Sequence, residues 1–599
     1  MPPLSVRQVN TKEYIAFRGF ETMDTQSARE ALPPNRLAWC ENMQIVGPNQ
    51  LVACNGPATP ITNLPLGEVV TSQFSAFYTP PGGTATDFII CFCQSGSAYQ
   101  VVAATGVTTK FALAGTFSIA PDMTVWSSQR ILIADATTGY CTWDGNVFVR
   151  QGGVSPNIVI TNGGSGYGAP PTVTISGGSG SGATAHAIIT GGVVTSIVLD
   201  SAGTGYKAGD TLTVSFSPAS TTAATAIVWP FLGANPTTLA VFAGRVWLAA
   251  TRTLTWTGTK GFDDTNPANA SGSTTLTDAD LVHSITALRN FNNFLYVVGD
   301  NSIKSIGTVT VSGSNTIFNI NTLSSDQGTT FPRAIVSYNR LILFANKVGI
   351  YAILGASVDK VSDQMDGIFG FIDFAQPLQA AVQDLHTSLH TFLLLCRYKD
   401  PVRGITRSLI LCFYKNRWFV ASQGDNMTAI CTAPINGIIE TFSSSGTDVT
   451  QIFQSNNPVP ILVQTALSDN NQPEMGKRAI RAAVAFNSNE LTPLTLTTDS
   501  ENGSQTFTFN TGQVVQWQNN SNQAIQWQNN SLQNISWITF GFQYQRTKAA
   551  ASGVYLGLSL SGTVTGGSGG SLGTALGFVL NQMVLEYQDA AAMASRASA

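Results

Sequence analysis

The side chains best suited to chemistry are few and thinly assembled. His386 and His390 in DLHTSLHTF are the only close pair among four histidines. Zinc needs a third and a fourth ligand, and a hydrolytic HExxH helix needs a Glu that Thr387 to Leu389 do not supply. Asp263 and Asp264 in GFDDTNPAN resemble a piece of a calcium loop, but the alternating carboxylate spacing is missing and a turn is the simpler reading. The eight cysteines, Cys40, Cys54, Cys91, Cys93, Cys141, Cys396, Cys412 and Cys431, are irregularly spaced and mostly sit in apolar runs such as FIICFC and SLILCFY. They read as buried reduced thiols. Cys91 and Cys93 share one face of a strand, yet no second pair at zinc spacing accompanies them, so no metal or cofactor site is expected. Glycoside hydrolysis would need two carboxylates at a defined separation, which spacing along the chain does not give. No nucleophile elbow, P-loop or dinucleotide fingerprint occurs in a strand-to-helix context. The remaining candidates are aromatic. Tyr167, Tyr206, Trp517 and Trp527, with Trp537 beyond them, stack on sugar rings of a host surface or on a partner if exposed, and pack in cores or interfaces if not.

The elements that carry these residues are strands. Short β-branched and aromatic runs bounded by Gly, Asn, Asp and Pro recur from end to end, and long amphipathic helical patterns are almost absent, so the class is all-β. Four segments look like one hairpin written repeatedly: VWSSQRILIADATTGYCTWDG, VFAGRVWLAATRTLTWTG, LRNFNNFLYVVGDNSIKSIG and IVSYNRLILFANKVGIYAILG. With Ile89, Ile131, Val246, Leu295, Ile342, Leu393 and Ile439 as phase markers, most steps are about 42 to 51 residues, the length of a four-stranded propeller blade. The step from Ile131 to Val246 is far too long. Lifting out residues 153–228, rich in Gly, Ser, Thr and Ala and nearly uncharged, restores a step of about 39.

The spacing therefore predicts a β-propeller of about six or seven blades, with 153–228 inserted in one of its loops as a small β-domain. That insert is itself duplicated, NGGSGYGAPPTVTISGG being echoed by SAGTGYKAGDTLTVSF, with a Gly-x-Gly-Tyr turn before each strand and the Tyr capping a small core. Residues 1–70 read as strands leading into the propeller and a platform, 71–152 as the first blades and 229–457 as the remaining ones. The last blades include TFLLLC, the hairpin RSLILCFYKNRWFVAS turning at Lys415 and Asn416, and GIIETF. Residues 458–588 read as a C-terminal β platform domain, and 589–599 as a flexible tail. Within the platform, QWQNNS occurs at Gln516–Ser521 and again at Gln526–Ser531, as a hairpin or a laddered edge. GVYLGLSLSG and ALGFVLNQMVLEYQ look like a last strand pair joined by GGSGGS.

At 599 residues the chain exceeds one ordinary core. Charged residues are 11%, and 30 Lys and Arg against 34 Asp and Glu leave a net charge of −4, which does not describe a protein devoted to gripping DNA. It is compatible with a surface past which DNA slides. The start, MPPLSVRQVNTKEY, lacks the apolar segment of a secretory signal, and no run of about 18 apolar residues suggests a membrane span.

The stretch FPRAIVSYNRLILFANKVGIYAILGASVDKVSD, Phe331 to Asp363, resembles a recurrent block of the tail-nozzle, or tail tubular, proteins of short-tailed, podovirus-type bacteriophages. LPPNRLAWCENMQIVGPN is similar to that family's opening, and RAIRAAVAF and LNQMVLEYQ are similar to strands of its platform domain. The resemblance implies a non-enzymatic virion protein of the phage tail, assembled in the host cytoplasm. It implies a homohexamer attached below the portal-adaptor ring, beside tail fibres or spikes, forming the distal conduit through which genomic DNA passes without sequence-specific binding and helping to gate its exit. The inserted duplication departs from the simplest nozzles. Two other classes compete: a tail propeller that binds or cleaves host-surface glycan during adsorption, and a secreted lectin-like propeller.

Overall fold

In the computed structural model the described residues are 12–589, apart from 47–49, 152, 156–157, 205, 207–209, 219, 231–234, 260, 266–268, 280, 282, 386–388, 436, 456, 489, 512, 516, 519–523, 526, 529–533, 536, 540 and 567–576. The chain divides into two compact units. One comprises residues 61–359 and 428–449; the other comprises 1–60, 360–427 and 450–599.

The first unit is a β-propeller of six four-stranded antiparallel blades. Five are continuous in sequence and open with the strands Val70–Tyr78, Asp122–Trp126, Thr238–Phe242, Ile285–Phe291 and Ile335–Tyr338. The sixth takes Ala429–Ile435, Ile438–Ser445 and Asp448–Ile452, and its fourth strand, Pro60–Asn63, comes from ahead of the first blade. The ring is thus fastened by pairing the two ends of the repeat. Sheet hydrogen bonding within each blade leaves both faces apolar, and these faces pack blade on blade. Phe88, Ile90 and Phe92 of the first blade meet Ile131, Ile133 and Trp143 of the second. Trp247 and Trp256 of the third meet Leu288, Leu295 and Val297 of the fourth. Ile89, Cys91 and Tyr99 of the first meet Ala429, Cys431 and Phe442 of the sixth. A tight two-residue turn joins Ile285–Phe291 to Phe294–Gly299 in the fourth blade, and its Asn292 and Asn293 take positive φ, the backbone that primed hairpin turns demand.

The insert leaves the second blade and rejoins the chain side by side, Val154 bridging Pro230 and the Ser155 amide donating to the Trp229 carbonyl at 2.9 Å. Its strands Thr172–Gly177 and Leu212–Ser217 belong to the two halves of the duplication and pair with each other. The repeat is exact at its turns. Gly164 and Gly203 have φ of 64° and 66°, and a Cβ on either would lie 2.5 Å from a neighbouring carbonyl oxygen and 2.9 Å from the ring of Tyr167 or Tyr206, respectively. Only glycine fits there. Because the ends of the insert touch, replacing residues 156–228 by a Gly-Gly turn is expected to leave the propeller folded, its melting temperature in calorimetry moving by no more than about 4 °C.

The second unit gathers three distant stretches of chain. A nine-stranded sheet runs in the order Gln379–Leu385, Leu389–Asp400, Ile405–Tyr414, Arg417–Ala421, Leu37–Glu41, Val459–Thr465, Leu556–Val564, Pro493–Ser500, Gly503–Asn510. A seven-stranded sheet runs Met43–Val46, Gln50–Ala53, Val579–Asp589, Lys477–Ser488, Gly541–Lys548, with Lys12–Phe17 also on Val579–Asp589 and the short Ser552–Gly553 on Lys477–Ser488. The two sheets share a core in which the Phe486 ring lies 5.7 Å from that of Phe509.

Two expectations change here. TFLLLC and RSLILCFYKNRWFVAS form the predicted hairpins, but in the nine-stranded sheet and not in a blade. Their length and continuous burial suit central strands of a wide sheet, and hairpin phase alone does not separate the two cases. The expected final strand pair also dissolves, since Leu556–Val564 and Val579–Asp589 lie in different sheets. Apart from Gly566, the GGSGGS link falls outside the described residues. The QWQNNS repeats make two small ladders, Trp517–Gln518 on Ala524–Ile525 and Trp527–Gln528 on Asn534–Ile535.

Candidate functional site

Polar residues from all six blades meet at the propeller axis. Asp122 opens the second blade, and its Oδ2 accepts from Thr238 Oγ1 of the third blade at 2.5 Å and from Arg289 Nη1 of the fourth at 2.9 Å. Arg289 Nη2 reaches on to the Pro332 carbonyl, at the entrance to the fifth blade, at 2.7 Å. The next residue, Arg333, donates to the carbonyls of Pro121 at 2.5 Å and Gln73 at 3.4 Å, and its guanidinium lies 3.5 Å from the centre of the Phe74 ring. Gln73 Nε2 of the first blade donates to Ser444 Oγ of the sixth, which closes the circle. Burial pushes the Arg333 guanidinium down to about 9, with Asp122 opposing the shift and Arg289 adding to it, so the group stays charged at neutral pH.

The arrangement ties these groups to one another. Both guanidinium groups are spent on carbonyls and on Asp122, the single carboxylate, and acid/base chemistry on a glycan would require a second. Elsewhere, burial raises the carboxyls of Asp87, Asp263 and Glu440, the last to about 6, but they stand on different strands and loops: Thr86–Cys93, the loop after Thr253–Trp256, and Ile438–Ser445. For Glu440 the sign is fixed by its raised folded value. As pH climbs from about 4.5 to 6 the unfolded chain loses its proton first, so the folded state is penalised above that window. Glu440→Gln is therefore expected to raise the melting temperature by about 2–4 °C at pH 7 and to leave it unchanged at pH 4, read by differential scanning fluorimetry.

His390 pairs with Asp384, His186 with Asp200 and His283 with Asp300. Among the described residues no three His, Cys, Asp or Glu side chains come together to hold a metal, and His386 lies outside them. All eight cysteines are buried and unbridged, and burial pushes Cys54, Cys91, Cys93, Cys141 and Cys396 up to about 12.

The aromatic candidates are corrected in part. Tyr167 and Tyr206 are 6% and 4% exposed, one in each core of the insert, and the Tyr167 hydroxyl accepts from the Ala224 amide at 2.9 Å. A ring buried under its own Gly-x-Gly turn has no face left for a sugar. The side chains of Trp517, Trp527 and Trp537 lie outside the described residues.

The hub residues were not singled out from sequence, although a signal exists. A polar residue sits at or beside the first strand of each of the first five blades, Gln73, Asp122, Thr238, Arg289 and Arg333, and these recur at blade spacing once the insert is lifted out. The second unit contains a deeper ion cluster. Arg407 is 1% exposed and grips Glu41 through both terminal nitrogens, at 2.6 and 3.0 Å, while its Nε reaches Asp400 at 3.1 Å. Trp39 Nε1 donates to Glu41 at 3.0 Å. Burial alone would raise the Asp400 carboxyl, but the Arg403 and Val402 amides and Arg407 bring it below the usual range.

No family model matches the chain, and no curated protein matches it. Among solved structures it is similar to BamB from Moraxella catarrhalis, at 11% identity over 69% of this chain and 93% of that one, with a TM-score of 0.31. The WD40 β-propeller domain of Doa1 matches at 8% identity over 66% and 96%, with a TM-score of 0.33. U3-55K matches at 8% identity over 65% and 96%, with a TM-score of 0.30. The six blades themselves carry the fold assignment.

Proposed function

We propose that this chain is a structural subunit of a short phage tail, the nozzle below the portal-adaptor ring. In this reading it forms a homohexamer around the distal DNA conduit, stands beside fibres or spikes and helps to gate genome exit. One observation carries the reading. Three of the sequence blocks that resemble tail-nozzle proteins, far apart along the chain, come together in the second β unit. LPPNRLAWCENMQIVGPN supplies Leu37–Glu41 and Met43–Val46, RAIRAAVAF lies in Lys477–Ser488, and LNQMVLEYQ lies in Val579–Asp589. The last two pair directly, Ala482 opposite Leu585 and Val484 opposite Met583. The fourth block, Phe331 to Asp363, spans the fifth blade.

A wall built of sheets, with the polar groups at the propeller hub tied to one another, suits a conduit better than a reactive pocket. The competing glycan reading loses two of its aromatic candidates, Tyr167 and Tyr206, to the insert's cores. Native mass spectrometry of the purified chain, alone and with the adaptor ring, tests the proposal. Six copies of the 63.3 kDa chain are expected. A chain that stays monomeric with the adaptor present and releases reducing sugar from host polysaccharide would overturn it.

A further inference from the structure

The seven-stranded sheet has one apolar and one basic face. In four of its strands, cross-strand partners align into rows. Ile15, Leu585 and Ala482, then Phe17, Met583 and Val484, face the core and are buried. The alternate rows face outward. Tyr14 lies opposite Glu586, Glu586 opposite Arg481, and Arg481 opposite Lys548. Above that row, Lys12 and Arg478 flank Gln588; below it, Arg546 and then Tyr544 continue along the edge strand Gly541–Lys548, with Phe542 beyond.

This face therefore carries five cations, Lys12, Arg478, Arg481, Arg546 and Lys548, and one anion, Glu586, whose contacts are with Lys12 at 3.2 Å and Arg481 at 3.9 Å. Arg478, Arg546 and Lys548 are exposed and have no acidic partner within 4.0 Å among the described residues. Tyr14, Phe542 and Tyr544 are 58%, 67% and 42% exposed, and the Arg546 guanidinium lies 5.3 Å from the Tyr544 ring centre. In a chain with net charge −4, such a segregation calls for a counter-charge.

We infer that this sheet face binds the phosphodiester backbone of nucleic acid without reading its sequence. Same-face residues along a strand are about 6.8 Å apart, so Arg546 and Lys548 can meet separate phosphates of one backbone. Exposed rings set among cations are the pattern of surfaces on which bases stack while the backbone is neutralised. Five contacts are few enough to hold a polyanion loosely at physiological salt, where non-specific dissociation constants are about 10⁻⁴–10⁻⁶ M. The inference rests on the conduit reading for the source of the nucleic acid, yet binding is measurable whether or not rings form.

The test is fluorescence anisotropy of the full chain with labelled duplex and single-stranded oligonucleotides of about 20 nucleotides, across a salt series. Binding is expected to weaken with salt at a log–log slope of about −4.5 for duplex if all five cations engage. The combined Arg478→Gln, Arg481→Gln, Arg546→Gln and Lys548→Gln variant, whose changes are all on exposed side chains, is expected to lose tenfold or more in affinity and most of the slope, with an unchanged circular dichroism spectrum. Tyr544→Ala tests stacking, and a selective loss for the single strand places bases on the rings. No binding of either oligonucleotide at low salt, an unchanged affinity in the variant, or tighter binding to phosphatidylglycerol vesicles than to both nucleic acids would overturn the inference. Nucleic-acid binding by a chain that stays monomeric even with the adaptor ring present would count against the hexameric nozzle and leave this inference standing.

Discussion

Arg407→Ala is expected to cost the second β unit about 3–5 kcal/mol, because it strands Glu41 as a buried carboxylate without its cation and leaves Asp400 only the more distant Arg403 at 3.8 Å. The cluster holds Leu37–Glu41, contributed by the N-terminal region, to the hairpin strand Ile405–Tyr414, and in sheet order Arg417–Ala421 stands between them. The attachment of the opening block therefore depends on it. Urea unfolding followed by tryptophan fluorescence should show a lower midpoint for this unit. Glu41→Met with Arg407→Met separates charge from shape, since replacing a buried ion pair by apolar groups of similar size is often neutral or stabilising. Recovery in the double variant is the expected outcome. A single Arg407→Ala variant as stable as the parent chain would show that the cluster is not held away from water.

The second large effect concerns the propeller hub. Asp122 is 2% exposed and is the carboxylate shared by Thr238 and Arg289, with Arg333 close by. Asp122→Ala takes the shared carboxylate away from Arg289, whose side chain is 24% exposed, and from nearby Arg333, at a cost of about 2–3 kcal/mol, and it does so where blades two to five are tied together. Hydrogen exchange should accelerate in the first strands of these blades before it does in their outer strands. Asp122→Asn keeps an acceptor and removes the charge, so its effect should be smaller. Equal exchange in parent and Asp122→Ala would mean that the hub does not fasten the ring.

Much of the propeller was legible because a blade is a local object. Each hairpin is written within about twenty residues, and apolar runs such as RILIAD and RVWLAA repeat at the blade interval. What was illegible is long-range. Nothing in PITN marks it as the outer strand of a blade formed by residues 429–452, since a four-residue edge strand has no pattern of its own. TFLLLC and SLILCFY read as blade strands because a buried hairpin looks the same in a narrow sheet and a wide one. Tyr167 and Tyr206 illustrate a similar ambiguity: the Gly-x-Gly-Tyr turns were readable, but burial decides whether a ring is a ligand platform or a lid. The basic face was written as alternation, Arg546 and Lys548 two apart and Arg478 and Arg481 around a bulge, yet only the register of four distant strands places these cations together.

The way the two units are stitched has a consequence for how the chain is made. On the ribosome, Pro60–Asn63 emerges about 385 residues before its partner Asp448–Ile452, a delay of about 20–80 s at ordinary elongation rates. Lys12–Phe17 waits longer still, about 560 residues, for Val579–Asp589. Through those intervals the nascent chain carries strands without their partners, so the propeller cannot close before Asp448–Ile452 has emerged, nor its companion before Val579–Asp589, and both expose open edges until then.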